Sequence, residues 1–329
     1  RFTNKIKVGA EITGYHSINN PPGASVTNAL WAAPIVPIQV DENTYYSMPS
    51  FQRAQVGNPV ATLNRNNRNS IEKGYRIIGN LYAEIKFLKN FTWKSTVYTD
   101  MAFNTGRRYN RLPYTFVNLG EGGGATTTTF DNTARTSVTQ EQSESRRFQQ
   151  DHVLTFDKRF GDHSFNAIAG FTTVYTTGSF VNGTRTDTAV NIPNAPDFWY
   201  IGISNPNNPG SLGGGGSENS IAGAFGRVSY SYQGKYLLNA TIRRDGSSKF
   251  APENRWGTFG SVGAGWVVSD EKFFSRFSKA LDYLKIRGAW GLTGNANGFA
   301  DNLYKAGISN SSTAIFGDNI YTSIQAAYI

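Results

Sequence analysis

The chain has 329 residues, of which 17% are charged and 14% aromatic, and it contains 35 glycines and no cysteine. Ordinary soluble domains carry roughly a quarter charged residues, so this deficit, with a mean hydropathy of −0.41, means that apolar side chains are diluted among uncharged polar ones. The missing cysteines exclude disulfides, thiolate metal sites and cysteine nucleophiles, while the net charge of +9 suggests an acidic partner such as nucleic acid, a lipid headgroup layer or an anionic substrate.

A helix that crosses a bilayer needs about 20 consecutive apolar residues, and the nearest stretch, Asn28 to Val40, is broken by Pro34 and Pro37. Disorder is excluded by the 22 Phe, 17 Tyr and 6 Trp. Arg1 to Val8 carries no initiator Met and no charged start followed by an apolar core. Because these residues already alternate like a strand interior, the sequence reads as a piece of something longer.

The elements follow a period of two, which places alternate side chains on opposite faces of a strand. Phe2 to Tyr15 puts Ile6, Val8, Ala10 and Ile12 opposite Lys5, Lys7, Glu11 and Thr13. In Gly74 to Leu88, Tyr75, Ile77, Leu81, Ala83, Ile85 and Phe87 oppose Arg76, Asn80, Glu84 and Lys86. The next run sets Phe91, Trp93, Val97, Met101 and Phe103 against Lys94, Thr96 and Asp100. Arg146 to Phe160, His163 to Tyr175, Ile221 to Tyr232, Lys235 to Asp245, Trp256 to Ser269 and Asp282 to Thr293 bring the set to about nine strands. A short turn around Asp270 to Phe277 is the one helical candidate.

Runs of 11 to 15 residues are about twice the usual strand length of five or six and long enough for the tilted strands of about 9 to 11 residues that span a bilayer. Leu88 to Asn90, Gly161 to Asp162 and Gln233 to Lys235 are tight turns, whereas Ser17 to Lys73, Thr105 to Ser145 and Gly178 to Ser220 are long loops. Short turns at one end and long loops at the other are the signature of an outer-membrane barrel. Phe87, Phe91, Phe160, Phe165, Tyr230, Tyr232 and Tyr236 flank the three turns, as an interfacial aromatic girdle would. A soluble sandwich, which packs its apolar face on a second sheet, is the competing reading.

Catalytic constellations are scarce. His16, His152 and His163 are scattered, with no helix-spaced partner for metal ligation. His152 with a serine is the sole conceivable start of a hydrolase, so no catalytic, cofactor or metal site and no enzymatic activity is expected. Gly213 to Ser217 reads as a flexible loop or an engineered linker, and the glycines of Gly260 to Gly265 read as strand positions rather than a nucleotide cradle.

Lys5, Lys7, Arg76, Lys86, Lys94, Arg227, Arg243, Lys285 and Arg287 share strand faces with Glu11, Glu84, Asp100, Asp157 and Asp245, a mixed-charge interior. Arg65, Arg68, Arg107, Arg108, Arg111, Arg146 and Arg147 lie in long loops or at their bases and suit lipid phosphates better than nucleic acid, which would need a compact basic module. Trp31 and Tyr45 in the first long loop and Phe198, Trp199 and Tyr200 in the third are candidates for stacking on a substrate or meeting a lid protein, or else for the loops' own small cores.

Asn80 to Ser95, Tyr236 to Phe250, Asn254 to Phe259, Ala264 to Phe274 and Leu284 to Asn295 resemble stretches of the SusC/RagA family of TonB-dependent outer-membrane transporters. Gly260 stands where that family usually has Pro. The resemblance implies an all-β transmembrane antiparallel β-barrel, with residues 1–329 forming a partial barrel domain of about nine strands out of roughly 22. It further implies short periplasmic turns, long extracellular loops, and an N-terminal signal peptide, TonB box and plug that have no counterpart in this chain.

The implied function is TonB-dependent import of a nutrient such as an oligosaccharide or peptide across the outer membrane of a Gram-negative bacterium of the Bacteroidetes. The implied partners are a SusD-like surface lipoprotein as lid, the TonB complex acting through the N-terminal region, and outer-membrane lipid and lipopolysaccharide, without nucleic acid. A passive porin, or a structural barrel in a secretion or surface complex, is the alternative.

Overall fold

The computed structural model describes residues 4–20, 26–41, 44–48, 57–66, 69–111, 115–118, 127–129, 136–186, 192–193, 195–203, 207, 210–276, 281–296, 298–299, 304, 307–316 and 319–327. Phe2, Thr3, Arg68 and Phe277 lie outside this set.

The strands are, in chain order, β1 (Ile6–Asn19), β2 (Gln39–Asp41), β3 (Thr44–Tyr46), β4 (Ser70–Phe87), β5 (Phe91–Asn110), β6 (Thr115–Asn118), β7 (Thr127–Thr129) and β8 (Ser137–Phe160). They continue as β9 (His163–Thr186), β10 (Ser211–Tyr232), β11 (Tyr236–Ser247), β12 (Trp256–Val267), β13 (Lys285–Gly291), β14 (Gly307–Phe316) and β15 (Asn319–Ala327). Short helices α1 (Val26–Trp31) and α2 (Pro59–Asn66) belong to the first long connection. Among the described residues no helix is long and apolar enough to cross a membrane, which leaves open a crossing by strands.

Nine strands form one sheet in the order β1-β4-β5-β8-β9-β10-β11-β12-β13, every neighbouring pair antiparallel. The register joins the two faces read from the alternation into continuous surfaces. Ile85, Trp93, Leu154, Ala169, Gly226, Ile242 and Gly260 lie in one cross-strand row of the apolar face. Among the described residues that face is not covered by a second sheet, as a sandwich would require. Leu81, Leu238, Ile242 and Ile286 remain about half exposed on it.

The strands outrun the sequence expectation at one end only. β8 and β9 have 24 residues each, about 80 Å of chain at ~3.3 Å per residue. Phe148, Leu154 and Phe156 occupy the apolar face of β8 near the turns, and the same face then continues as Arg146, Glu144, Gln142 and Gln140. Polar on both faces, this upper part carries no apolar alternation, which is why its sequence reads as loop.

Gly213 to Ser217, expected to be a flexible loop, is instead part of β10 and pairs with Gly178–Asn182 of β9. Glycines contribute nothing to a hydropathy period, so only the partner strand reveals this one. Asn182 and the Phe180 ring lie across Gly213 and Gly215, where a Cβ would collide with them. Gly260 to Gly265 lies within β12, as expected.

The predicted helical turn is present as two 3-10 turns, Val268–Asp270 and Lys272–Arg276. The tight turns use left-handed backbone at Gly161 (φ 55°) and Gly234 (φ 72°), and also at Leu88, Lys89 and Gln233.

The long connections contain two small cores. β2, β3, β6 and β7 make a four-stranded sheet in which β3 and β6 run parallel. Buried Asn58 caps α2 by accepting from the Val60 and Ala61 amides, each at 3.0 Å, and donates to the Ile38 and Tyr46 carbonyls, both at 2.8 Å. In the second core Trp199 and Ile192 pack on Tyr109 and Val138 of the strand extensions.

Candidate functional site: a two-faced wall and its inner platform

The polar face of the sheet carries some of its mixed charges as pairs. Arg76 grips Asp100 with two bonds of 2.7 and 2.6 Å, and Arg243 donates to Asp245 at 2.5 Å. Asn80 donates to Glu11 at 3.2 Å and Asn166 to Asp157 at 3.2 Å. The Tyr82 ring lies between the ammonium groups of Lys7 and Lys94, 5.5 and 5.0 Å from its centroid. Tyr82 lies flat because Gly9 is directly opposite on β1, and a Cβ there would overlap the ring.

Toward the loop end this face becomes a shallow platform. One row across the sheet reads Ser17, Gly74, Asn104, Ser143, Phe180 and Gly215, and the next reads Asn19, Glu72, Gly106, Glu141, Asn182 and Gly213. Apart from Gly213 and Gly215, these residues line a depression of about 420 Å³, together with Lys73, Thr105, Gln142 and Val181. The Glu141 carboxylate lies over Gly106, and Ser17 Oγ and Asn104 Oδ1 converge over Gly74. Phe180 is 51% exposed, so its ring is available to a ligand.

The apolar face ends at an aromatic belt along the turn end. Ring pairs run Phe87–Phe91 (5.7 Å), Phe91–Phe156 (4.8 Å), Phe156–Phe165 (6.0 Å), His163–Tyr232 (4.9 Å) and Tyr232–Tyr236 (6.3 Å), crossing six strands. Glu271, in the connection from β12 to β13, anchors to this belt. It accepts from Tyr236 Oη at 2.7 Å and Trp266 Nε1 at 3.2 Å, with Lys235 Nζ at 3.6 Å. These bonds, Tyr236 first, hold its carboxyl below the ordinary glutamate range.

The aromatic loop candidates divide. Tyr45 is 1% exposed and Trp199 is fully buried, each in one of the small cores, so neither offers a ring face to a ligand. Trp31, Phe198 and Tyr200 are exposed. Arg107 lies over the Tyr200 ring at 4.6 Å and donates to the Pro196 carbonyl at 2.8 Å. The sequence reading missed the platform because its residues are scattered one or two at a time over six strands, with no local motif.

The histidines lie apart. His16 stacks on Tyr75 at 4.5 Å. His163 Nδ1 is 2.6 Å from Tyr230 Oη. His152 Nδ1 meets Ser95 Oγ at 3.0 Å on the apolar face, while Asp151 points to the other face and accepts from Thr172 at 2.5 Å. Among the described residues no three His, Asp or Glu side chains are placed to hold a metal ion.

TonB-dependent receptor SusC of Bacteroides thetaiotaomicron is 39% identical over 110 residues, which cover 32% of this chain and 11% of SusC. TonB-dependent receptor P26 of Formosa agariphila is 25% identical over 300 residues, 90% of this chain and 28% of that receptor. The RagAB peptide importer in its closed-closed state matches 100% of this chain and 35% of its own, with a TM-score of 0.73 and 15% identity, a likeness of fold. No protein-family model matches the chain. The chain thus spans about a third or less of the length of the proteins it matches.

The nine-stranded antiparallel sheet, with its apolar face, charged face and aromatic belt, has the fold of part of the RagA barrel wall. The curated relatives are TonB-dependent receptors, and the chain resembles the SusC/RagA type.

Proposed function

We propose that this chain is part of the wall of an outer-membrane importer that takes up a nutrient such as an oligosaccharide or peptide by TonB-dependent transport. The two-faced sheet carries this reading: its apolar face meets lipid and its charged face lines a lumen. The turn end lies in the periplasm, and the strand extensions with their small cores stand outside the cell, where a SusD-like lipoprotein serves as lid and lipopolysaccharide surrounds the wall. The remaining strands and a plug complete the barrel, because a sheet edge in lipid leaves backbone groups unpaired. The place of the Ser95–His152 pair on the lipid side, away from water-borne substrates, supports transport rather than hydrolysis.

Deleting the full-length gene in its own host tests this. The expected result is a growth defect on at least one glycan or peptide as sole carbon source, reproduced by deleting TonB. Growth equal to the parent on every nutrient defeats the proposal, and a defect that persists unchanged without TonB favours the passive porin instead.

A further inference from the structure

We propose that the outward face of the sheet seats one anionic phospholipid of the periplasmic leaflet, with its phosphate at Lys158 and Lys89 and an acyl chain in a groove beside them. The inference rests on the reading of the apolar face as lipid contact.

The groove has a volume of about 430 Å³ and starts at the aromatic belt. Its floor is Ala167, Ala169 and Gly226, set between Leu154 and Phe156 of β8 and Ile242 of β11. The register aligns Leu154, Ala169, Gly226 and Ile242 in one row, so the two small residues in the middle leave a trough between the two large ones. A methylene chain laid in that trough touches wall on both sides, where a flat surface would offer it one.

Charge identifies the headgroup. Lys158 follows Phe156 of the belt by two residues toward the turn and pairs with Phe165, which puts it on the same outward face at headgroup depth. It is exposed and makes no hydrogen bond or ion pair among the described residues. The Asp157 amide donates to the Asn90 carbonyl at 3.0 Å, which brings the turn that carries exposed Lys89 alongside this stretch of β8. The carboxylates of the turn end are engaged elsewhere: Asp157 faces inward and accepts from Asn166, Asp162 accepts from Gln233, and Glu271 is held by Tyr236, Trp266 and Lys235. Among the described residues, the other basic side chains on the outward face of these strands, Lys73, Arg107, Arg146, Arg185 and Arg244, stand in the loop half. Two ammonium groups at the mouth of an apolar groove suit a phosphate joined to an acyl chain, and they favour a net anionic headgroup over a zwitterionic one.

The test titrates the full-length protein in detergent with dipalmitoyl phosphatidylglycerol or dipalmitoyl phosphatidylcholine and counts bound lipids by native mass spectrometry. One saturable lipid is expected, with phosphatidylglycerol preferred, and Lys158→Gln should cut that preference about fivefold. A Cβ at Gly226 would meet Ile242 Cγ2 at 3.7 Å and the Ile168 carbonyl at 3.9 Å, which are ordinary contacts, so Gly226→Leu fills the groove without moving the backbone. That variant should weaken both lipids alike. Both variants should keep the heat-modifiable mobility of a folded barrel. Binding that never saturates, a preference unchanged in Lys158→Gln, or affinities unchanged in Gly226→Leu overturns the proposal and leaves the wall standing. The assay needs neither a nutrient nor TonB, so a saturable seat in a protein whose deletion leaves growth equal to the parent would defeat the import reading and keep this site.

Discussion

Glu271 shows how a single carboxylate fastens a connection to the wall. Its three partners, Tyr236, Trp266 and Lys235, lie on either side of the turn end, so the bonds tie the 3-10 segment to the aromatic belt. The partners favour the ionised form, and the folded carboxyl titrates below its unfolded value of about 4.3. The resulting stabilisation is complete above that value and is lost as pH falls through the lower folded one. Urea unfolding in detergent between pH 6 and 3 should accordingly show a steeper acid loss for the parent than for Glu271→Gln. Parallel curves would mean that the contact contributes nothing.

At the scale of the element, each hairpin depends on its turn. The β10–β11 turn holds Gln233 and Gly234 at φ 53° and 72°, a region that costs an L-residue about 1–2 kcal/mol. Gly234→Val should therefore destabilise the barrel by about that amount, read as a lower denaturant midpoint with an unchanged slope. Gln233→Gly should do the reverse, by relieving a residue already held in this conformation. The register makes such turns consequential, because a slip of one residue would carry Val228, Ala240 and Ile242 to the charged face.

For the whole molecule, the proposed place in a membrane wall gives the two faces different solvents, and adjacent residues of one strand test this. Val228 lies outward, opposite Ala167 and Ala240, midway along the apolar band; Ser229 lies inward, opposite Asn166 and Asn239. Val228→Arg should cost about 2–4 kcal/mol at the bilayer midplane, lowering the folded fraction recovered from outer membranes. Ser229→Arg should be recovered like the parent. Equal losses would contradict the assignment of faces.

Alternation along Tyr236–Ile242, or along Tyr75–Phe87, is a local property of the chain. The sequence alone therefore determined the nine strands, the identity of their apolar faces, the three tight turns and the aromatic belt beside them, as well as the family resemblance. Tertiary structure alone decided what has no local period. The polar upper halves of β8 and β9 and the glycine run of β10 are strands because their neighbours pair with them. Tyr45 and Trp199 belong to small cores, whereas Trp31, Phe198 and Tyr200 stay at the surface, a difference that depends on which loop folds back on which strand. The platform of Asn104, Glu141, Phe180 and Asn182 likewise exists only across strands, since cross-strand register, rather than nearness in the chain, brings those side chains onto one face.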